Sequence, residues 1–473
     1  MSEHNENTGT KGTKSTTSDT DALGDLTRRV SGPVHAPGTD AYDGARTGMQ
    51  LLDRHRPDAV VEPVDAQDVR AAVAWASERG LRVSAQLTGH GLGAGMAGGV
   101  LLATHRMDGV RVDPDRGTAW VEAGATWQTV ADAAAEHGLA PLSGSSPAVG
   151  AVSYTLGGGV GLLARRYGFA ADHVRRVDLV TADGLLRQVT GDDDPDLFWA
   201  VRGGGAGAFG VVTGMEIDLF PVPRIYGGSL LLDAGAEPGV LEAWRRWAES
   251  APEEMTSGAS VMVYPDMEGV PEPMRGRRVA QVSVAWSGPL EEGAKVVEPL
   301  RSAAPVLADT LREMPYDESG AVFDEHQDRA GFRGRSVLVD RLDGEALAEL
   351  IRMTGEAPFF CVVWLRHLGG ALAREPRVAN AVGHRGAAYA LTVLTFAETE
   401  DTEAMRDLRE RAAALFGPYA VGRSSTLGFG PMEEAEVREV FDEDDHARLA
   451  RVKAAYDPRG VFHSNRPIPA GGW

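Results

Sequence analysis

The chain has 473 residues, with 47 Lys and Arg against 68 Asp and Glu, for a formal charge of -21. Such a length holds two to three domains or one large intertwined unit, and such a charge argues against DNA, RNA or an anionic membrane as partner and toward a small molecule. The single cysteine, Cys361, lies in the apolar run Phe359-Phe360-Cys361-Val362-Val363, which predicts a buried, inert thiol and fits a cytoplasmic home.

Residues 1–36 are rich in Ser, Thr, Gly, Asp and Asn and lack the apolar core of a signal peptide, so a disordered tail is expected. No run approaches the ~20 apolar residues of a membrane span. Residues 59–63 predict a short strand, and Asp65 then caps a helix whose Val69, Ala72, Val73 and Ala76 keep helical spacing until Gly80. Residues 81–85 resume as strand and deliver the chain into Thr88-Gly89-His90-Gly91-Leu92-Gly93-Ala94-Gly95, after which 100–102 is extended again. Strands at 110–112 and 119–123 flank the turn Pro114-Asp115-Arg116-Gly117, and a helix runs from Trp127 to about His137 before Gly138. Asp183-Gly184 predicts a hairpin between strands at 172–180 and 185–189, while Asp194-Pro195 opens a helix. Residues 211–219 alternate as a strand. From 225 to 406 the glycine clusters thin, and strands such as 279–284 and 359–365 alternate with helices such as 344–353, which marks a second domain. No internal repeat is present.

Two stretches, Gly93 to Gly98 and Gly205 to Gly210, match GxGxxG, yet each runs into a strand where the dinucleotide fingerprint needs a helix. An ordinary nicotinamide dehydrogenase is therefore disfavoured. The bare backbone of 88–95 instead suits a pyrophosphate, because glycines expose main-chain N–H groups and permit close approach, and His90 stands ready to touch what that pyrophosphate carries. A flavin dinucleotide is the natural candidate. No HExxH, paired metal-ligand spacing or serine elbow appears, and His35, His55, His105, His137 and His173 are scattered.

The ordered set Pro37-Gly38-Thr39-Asp40-Ala41-Tyr42, Thr88-Gly89-His90-Gly91, Thr155-Leu156-Gly157-Gly158-Gly159-Val160-Gly161, Arg166-Tyr167-Gly168, Asp196-Leu197-Phe198-Trp199-Ala200-Val201-Arg202-Gly203-Gly204-Gly205 and Tyr456-Asp457-Pro458 with Asn465 resembles the berberine bridge enzyme-like flavoproteins, a branch of the vanillyl-alcohol-oxidase-type fold. The resemblance implies an α+β protein: a PCMH-type, two-subdomain FAD-binding domain at 37–224, a substrate domain at 225–406 with an antiparallel sheet covered by helices, and a segment at 407–473 packing back on the first domain. It implies that FAD is wrapped by Gln86, Leu87, Thr88, Gly89, His90, Gly91 and Gly95, by Ser146, Val149 and Gly150, and by Gly157, Gly158, Gly159 and Gly161. Gly210, Val211 and Val212 would hold the adenine end, and Asn465 would close the site. His90 matches the histidine that bonds covalently to the flavin 8-methyl carbon. Many relatives add a cysteine link, but Ser146 stands at that place, and its hydroxyl is too weakly acidic to supply the nucleophile, so the expected link is through His90 only. Gln86 replaces an arginine common in relatives.

The activity implied is hydride transfer from an alcohol, hemiacetal or amine carbon of a small organic molecule, a secondary metabolite, to the flavin, with dioxygen as acceptor. The alternative is oxygenation, or oxidative or redox-neutral cyclisation of a natural-product intermediate. Val149 falls where a small residue leaves dioxygen a path to the flavin. The family's tyrosines before the final turn would match Phe441 and His446, and its acid–base position after His384-Arg385 would fall near Leu391 and Thr392, which are poor bases. Tyr154, Tyr389 and His446 remain as proton-transfer candidates. No metal is expected, and the chain is expected to be a monomer or homodimer.

Overall fold

The structure is a computed structural model that describes residues 16–470. Three sheets organise it. In the first, Val34–His35 pairs antiparallel with Ala59–Val61, which lies parallel to Val100–Ala103, itself parallel to Val83–Gln86. The inner strands are apolar at every position because both their faces are covered. One cover is the helix Ala66–Glu78, begun by the Asp65 carboxylate, which accepts the N–H groups of Gln67 and Asp68. Its Val69, Ala72, Val73 and Ala76 are fully buried, as their spacing predicts.

The expected tail needs correcting in part. Residues 1–15 lie outside the described residues, but Thr16–Arg29 is a helix with Leu26 fully buried against the first sheet's core. Asp25 accepts the indole N–H of Trp75 at 3.1 Å and pairs with Arg79 at 2.8 Å. A polar composition hid this helix because one short apolar stripe, Ala22, Leu23 and Leu26, suffices when the partner face is already built.

The second sheet runs Val110–Asp113, Thr118–Glu122, Val211–Asp218, Val174–Val180, Leu186–Val189, with antiparallel neighbours throughout. Gly184 takes φ +76 in its hairpin. Both GxGxxG stretches do lead into strands, Val100–Ala103 and Val211–Asp218. Asp194 precedes the helix Pro195–Val201 at φ 57, and its side chain makes no cap there; its carboxylate accepts the Tyr456 hydroxyl at 2.5 Å and so ties the C-terminal region to this sheet.

The third sheet, nine-stranded and antiparallel among the described residues, is built between Arg224 and Gly422. The helices Val240–Glu249, Leu290–Arg301, Gly344–Gly355 and Glu403–Leu415 bury one of its faces around Trp244, Leu300, Leu350 and Leu408. Strand alternation sends the remaining side chains the other way, toward the glycine loops. The expected boundary at 406 falls inside Glu403–Leu415, whose Leu408 and Ala412 belong to this core, and Ala420–Gly422 pairs with Phe332–Val339. The return to the first domain comes later: Leu449, Ala450 and Val452 of the helix Glu443–Tyr456 enter the second sheet's core, and Phe462 bridges to Val83.

Candidate active site

Between the glycine loops and the open face of the third sheet lies a cavity of about 680 Å³. Its loop side carries Gln86, Leu87, Thr88, Gly89, His90 and Gly91, then Ser146, Val149, Tyr154 and Gly157, and finally Asn465. Its sheet side carries Ser260 and Met262, Val362, Trp364 and Arg366, and Leu394 and Phe396 from adjacent strands.

The backbone N–H groups of Gly89, His90 and Gly91 have no acceptor among the described residues. A side chain at Gly91 would meet nothing within 4 Å, whereas Gly89, at φ +69, lies so close to Gly48 that a Cβ would sit 2.8 Å from its Cα. Unpaired amides on bare backbone beside an open cavity are what a diphosphate requires, so the residues fit FAD. Asn465 holds the loop in place by accepting the Gly93 N–H at 3.0 Å. Gln86 supports it from below, with its amide oxygen buried and without a hydrogen-bond partner and its Nε2 donating to the Arg46 carbonyl.

His90 Nδ1 hydrogen-bonds the Thr88 hydroxyl at 2.8 Å, and Nε2 has no partner. Burial lowers the His90 pKa, opposed by the negative charge of Glu325, so the ring is neutral and nucleophilic near pH 7. Ser146 is buried, with its hydroxyl accepting from Gln327 at 3.4 Å. Nearby, His55 accepts the Met96 N–H at 3.0 Å, and its pKa is lowered to about 4 by burial and then by His463.

Several residues expected to contact cofactor stand behind the wall. Gly95 packs on the carbonyls of Asp53 and Arg54, 2.6 Å from where a Cβ would be; Gly161 packs on the Ser143 carbonyl at 2.1 Å, and Gly210 on the Val180 carbonyl at 2.7 Å. Gly150 caps the helix Ala151–Leu156, Gly158 and Gly159 turn the chain at φ +109 and +78, and Val211 and Val212 lie in the second sheet. These glycines serve close backbone packing. Gly205, Ala206 and Gly207 reach the wall in their place.

The three proton-transfer candidates separate. Tyr154 lines the cavity with a buried hydroxyl that has no partner, and its pKa stands well above the ordinary value through burial, so it keeps its proton. Tyr389 faces the other way: it packs with Trp244 on the helix side and stacks on His367 at 5.4 Å, with burial pushing its pKa to about 12. Period-two alternation decides this, since Leu394 and Phe396 of the same strand face the cavity. His446, at 9 % exposure, sits on the final helix, outside the cavity, near Phe441. Thr392 donates to the Leu427 carbonyl, and Leu391 is core. The C-terminal stretch that does reach the cavity is Ser425, Thr426, Leu427 and Phe429, not 441–446.

Sequence reasoning also missed Glu325, Trp364 and Arg366. For the last two a signal existed, since alternation in Cys361–His367 places them on the face opposite Cys361, Val363 and Leu365. Among the described residues no cluster of His, Cys, Asp and Glu could hold a metal ion, and no helix is long and apolar enough to cross a membrane.

Comparisons with known proteins agree with this geometry. The FAD binding domain family matches residues 57–190, and the Berberine and berberine like family matches residues 431–469. The (R)-6-hydroxynicotine oxidase of Paenarthrobacter nicotinovorans is 28% identical over 470 residues, which covers 94% of this chain and 98% of the relative. Among solved structures, berberine bridge enzyme from Eschscholzia californica superposes with a TM-score of 0.81 at 20% identity, covering 95% of this chain and 99% of the other. Glucooligosaccharide oxidase from Acremonium strictum, described with a 6-S-cysteinyl, 8α-N1-histidyl FAD, gives 0.81 at 20% identity, covering 96% and 100%. The fold is thus the PCMH-type FAD-binding fold with a large antiparallel sheet.

Proposed function

From a chain that carries the FAD-binding domain and the closing segment of the berberine bridge enzyme-like flavoproteins, and so is an FAD-linked oxidoreductase, we propose an oxidase for a small organic molecule, with FAD bound covalently through His90 alone. One observation carries the reading: a neutral, half-buried imidazole on an amide-rich glycine loop faces a largely apolar sheet wall across a single cavity.

When bound, FAD would supply the hydride acceptor, with dioxygen as the final electron acceptor. The protein contributes orientation and electrostatics. His90 would offer an unprotonated ring nitrogen to the flavin 8-methyl carbon, and the Ser146 hydroxyl is too weakly acidic to form a second bond. Tyr154 donates a hydrogen bond inside the cavity, where an unpartnered hydroxyl is otherwise costly. Val149 lines the cavity wall, where its short side chain would leave dioxygen a path to the flavin. The substrate would be an alcohol, hemiacetal or amine, within secondary metabolism, and a cytoplasmic setting suits the one free, buried thiol.

Anaerobic mixing of the purified holoenzyme with a panel of aromatic alcohols, sugars and cyclic amines tests the reaction. Bleaching of the oxidised flavin by at least one compound, followed by rapid recovery and hydrogen peroxide on admitting air, is the expected result. Product formation without net reduction would move the reading to cyclisation. Spectral shifts without bleaching across the panel would contradict an oxidase.

A further inference from the structure

A second cavity, of about 40 Å³, lies beside the large one, and the two share a wall made of Gly157, Val160 and the strap of residues 425–427. That partition is one residue thick. Thr426 Cγ2 stands only 2.7 Å from where a Cβ on residue 157 would be, so the passage beside the strap exists because that residue is glycine. The strap itself is fixed: the Leu427 carbonyl accepts from Thr392 at 3.1 Å, the Gly428 carbonyl from the buried Arg466 at 2.6 Å, and Phe429 exchanges both backbone hydrogen bonds with Gly334.

Away from the partition the second cavity is walled by Phe169, Leu338, Leu368, Leu372 and Ala390. Its charged side chains satisfy one another: Arg385 pairs with Asp172 at 2.6 Å, Arg423 with Glu436 at 2.8 Å and Glu439 at 2.6 Å, and His384 donates to the Glu439 carbonyl at 2.9 Å. At its outer end Val382, Gly383 and His384 are half-buried, whereas Leu338, Leu368 and Ala390 are buried, so the cavity runs from near the surface to the partition. Size then selects the occupant. One water takes about 10–15 Å³ and asks for two to four polar partners, which a wall of leucine, alanine and phenylalanine does not give, while a ring-bearing molecule is too large. An apolar diatomic molecule meets both limits.

We propose that this second cavity binds dioxygen and passes it between Gly157 and the strap into the large cavity. Val149 lies beyond the partition, on the wall of the large cavity, so the two act in series. A substrate that fills the mouth of the large cavity would then leave the oxygen supply open. The inference rests on the proposed oxidase reading, since dioxygen is needed only if it is the acceptor.

Xenon, an apolar probe of similar size, tests the site, and stopped-flow reoxidation tests the passage. Crystals of the purified holoenzyme pressurised with xenon should hold one atom between Phe169, Leu338 and Leu372. Val382→Phe, on the half-buried loop, and Ala390→Leu, in the buried wall, each fill the cavity from a different side. Both should lose the xenon atom and slow reoxidation of dithionite-reduced flavin by air-saturated buffer about threefold or more, with flavin content unchanged. Reoxidation by dichlorophenolindophenol, too large for the second cavity, should keep its wild-type rate. An empty cavity under xenon, wild-type reoxidation by dioxygen in both variants, or equal slowing with dioxygen and dye would overturn the passage. Wild-type enzyme that is reoxidised by the dye but not by dioxygen would instead overturn the oxidase reading beneath it.

Discussion

The two walls of the cavity are built on different physical rules. The loop wall is defined by main chain: its glycines are present because Gly89 touches Gly48 and Gly161 touches Ser143, and its ligand-facing groups are amides. The sheet wall is defined by side chains on a regular backbone, where Trp364, Arg366 and Phe396 could each be exchanged without altering a strand. Backbone-built sites demand particular residue types and leave a legible pattern, while side-chain-built sites demand only alternation. A fold can therefore hold its cofactor side constant and vary its substrate side freely.

The largest effect should separate two kinds of glycine, one on the loop wall and one packed behind it. Gly161→Ala places a methyl 2.1 Å from the Ser143 carbonyl and should cost about 3 kcal/mol or more, seen as a clear drop in melting temperature. Gly91→Ala meets nothing within 4 Å, so it should leave melting nearly unchanged and lower flavin loading instead. Similar melting for both variants would break the distinction between packing and ligand-facing glycines.

Next in size is Val149→Leu, which adds a methylene at the cavity wall where few voids can absorb it. Stopped-flow reoxidation of the reduced enzyme should slow about tenfold or more, with reduction by substrate little changed. Unchanged reoxidation would remove Val149 from the oxygen path.

The tyrosines compare the two faces of the sheet. Tyr154→Phe deletes a donor inside the cavity and should slow flavin reduction about five- to tenfold, the worth of one hydrogen bond. Tyr389→Phe, on the helix side, should leave that rate unaltered. Equal slowing by both would contradict the assigned faces.

The smallest effect is a pH dependence carried by two buried histidines, His55 at the cavity and His367 behind the sheet. His55 is held to about 4 by burial first, and His367 to about 3 by burial first and then by Arg165, whose Nη1 donates to its Nε2 at 2.6 Å. Both pKa values are depressed on folding, so the stability associated with neutral rings is full above the unfolded value of about 6.5. It is lost as pH falls toward the folded values, because only the unfolded chain takes up the protons. Each ring should contribute on the order of 1 kcal/mol per pH unit between about pH 6 and 4. Denaturant titrations of His55→Gln and His367→Gln should each show a shallower acid slope than wild type; slopes equal to wild type in both would refute the assignment.

Much of the loop side was legible because its elements carry local signals. Asp65 and Gly80 bracket a helix, Asp183-Gly184 turns a hairpin, and two GxGxxG stretches run into strands. A glycine's purpose is ambiguous in sequence: Gly91 and Gly161 look alike, and only packing shows that one faces space and the other a carbonyl. The helix Thr16–Arg29 was missed because its stability comes from Trp75 and the first sheet, not from its own composition. Glu325 left no signal, since it lies in an irregular stretch whose meaning depends on Arg366, 41 positions away. Tyr389 and His446 follow from residue type and from position along the chain, and neither says which face a side chain takes.

The covalent state of the flavin tests the central claim most directly. After acid precipitation of the purified protein, the yellow chromophore should remain with the polypeptide, and peptide mass spectrometry should place one FAD on the fragment containing His90 and none on that containing Ser146. His90→Ala should release its flavin on precipitation. Quantitative release of free FAD from wild type, or attachment at any other residue, would contradict the account.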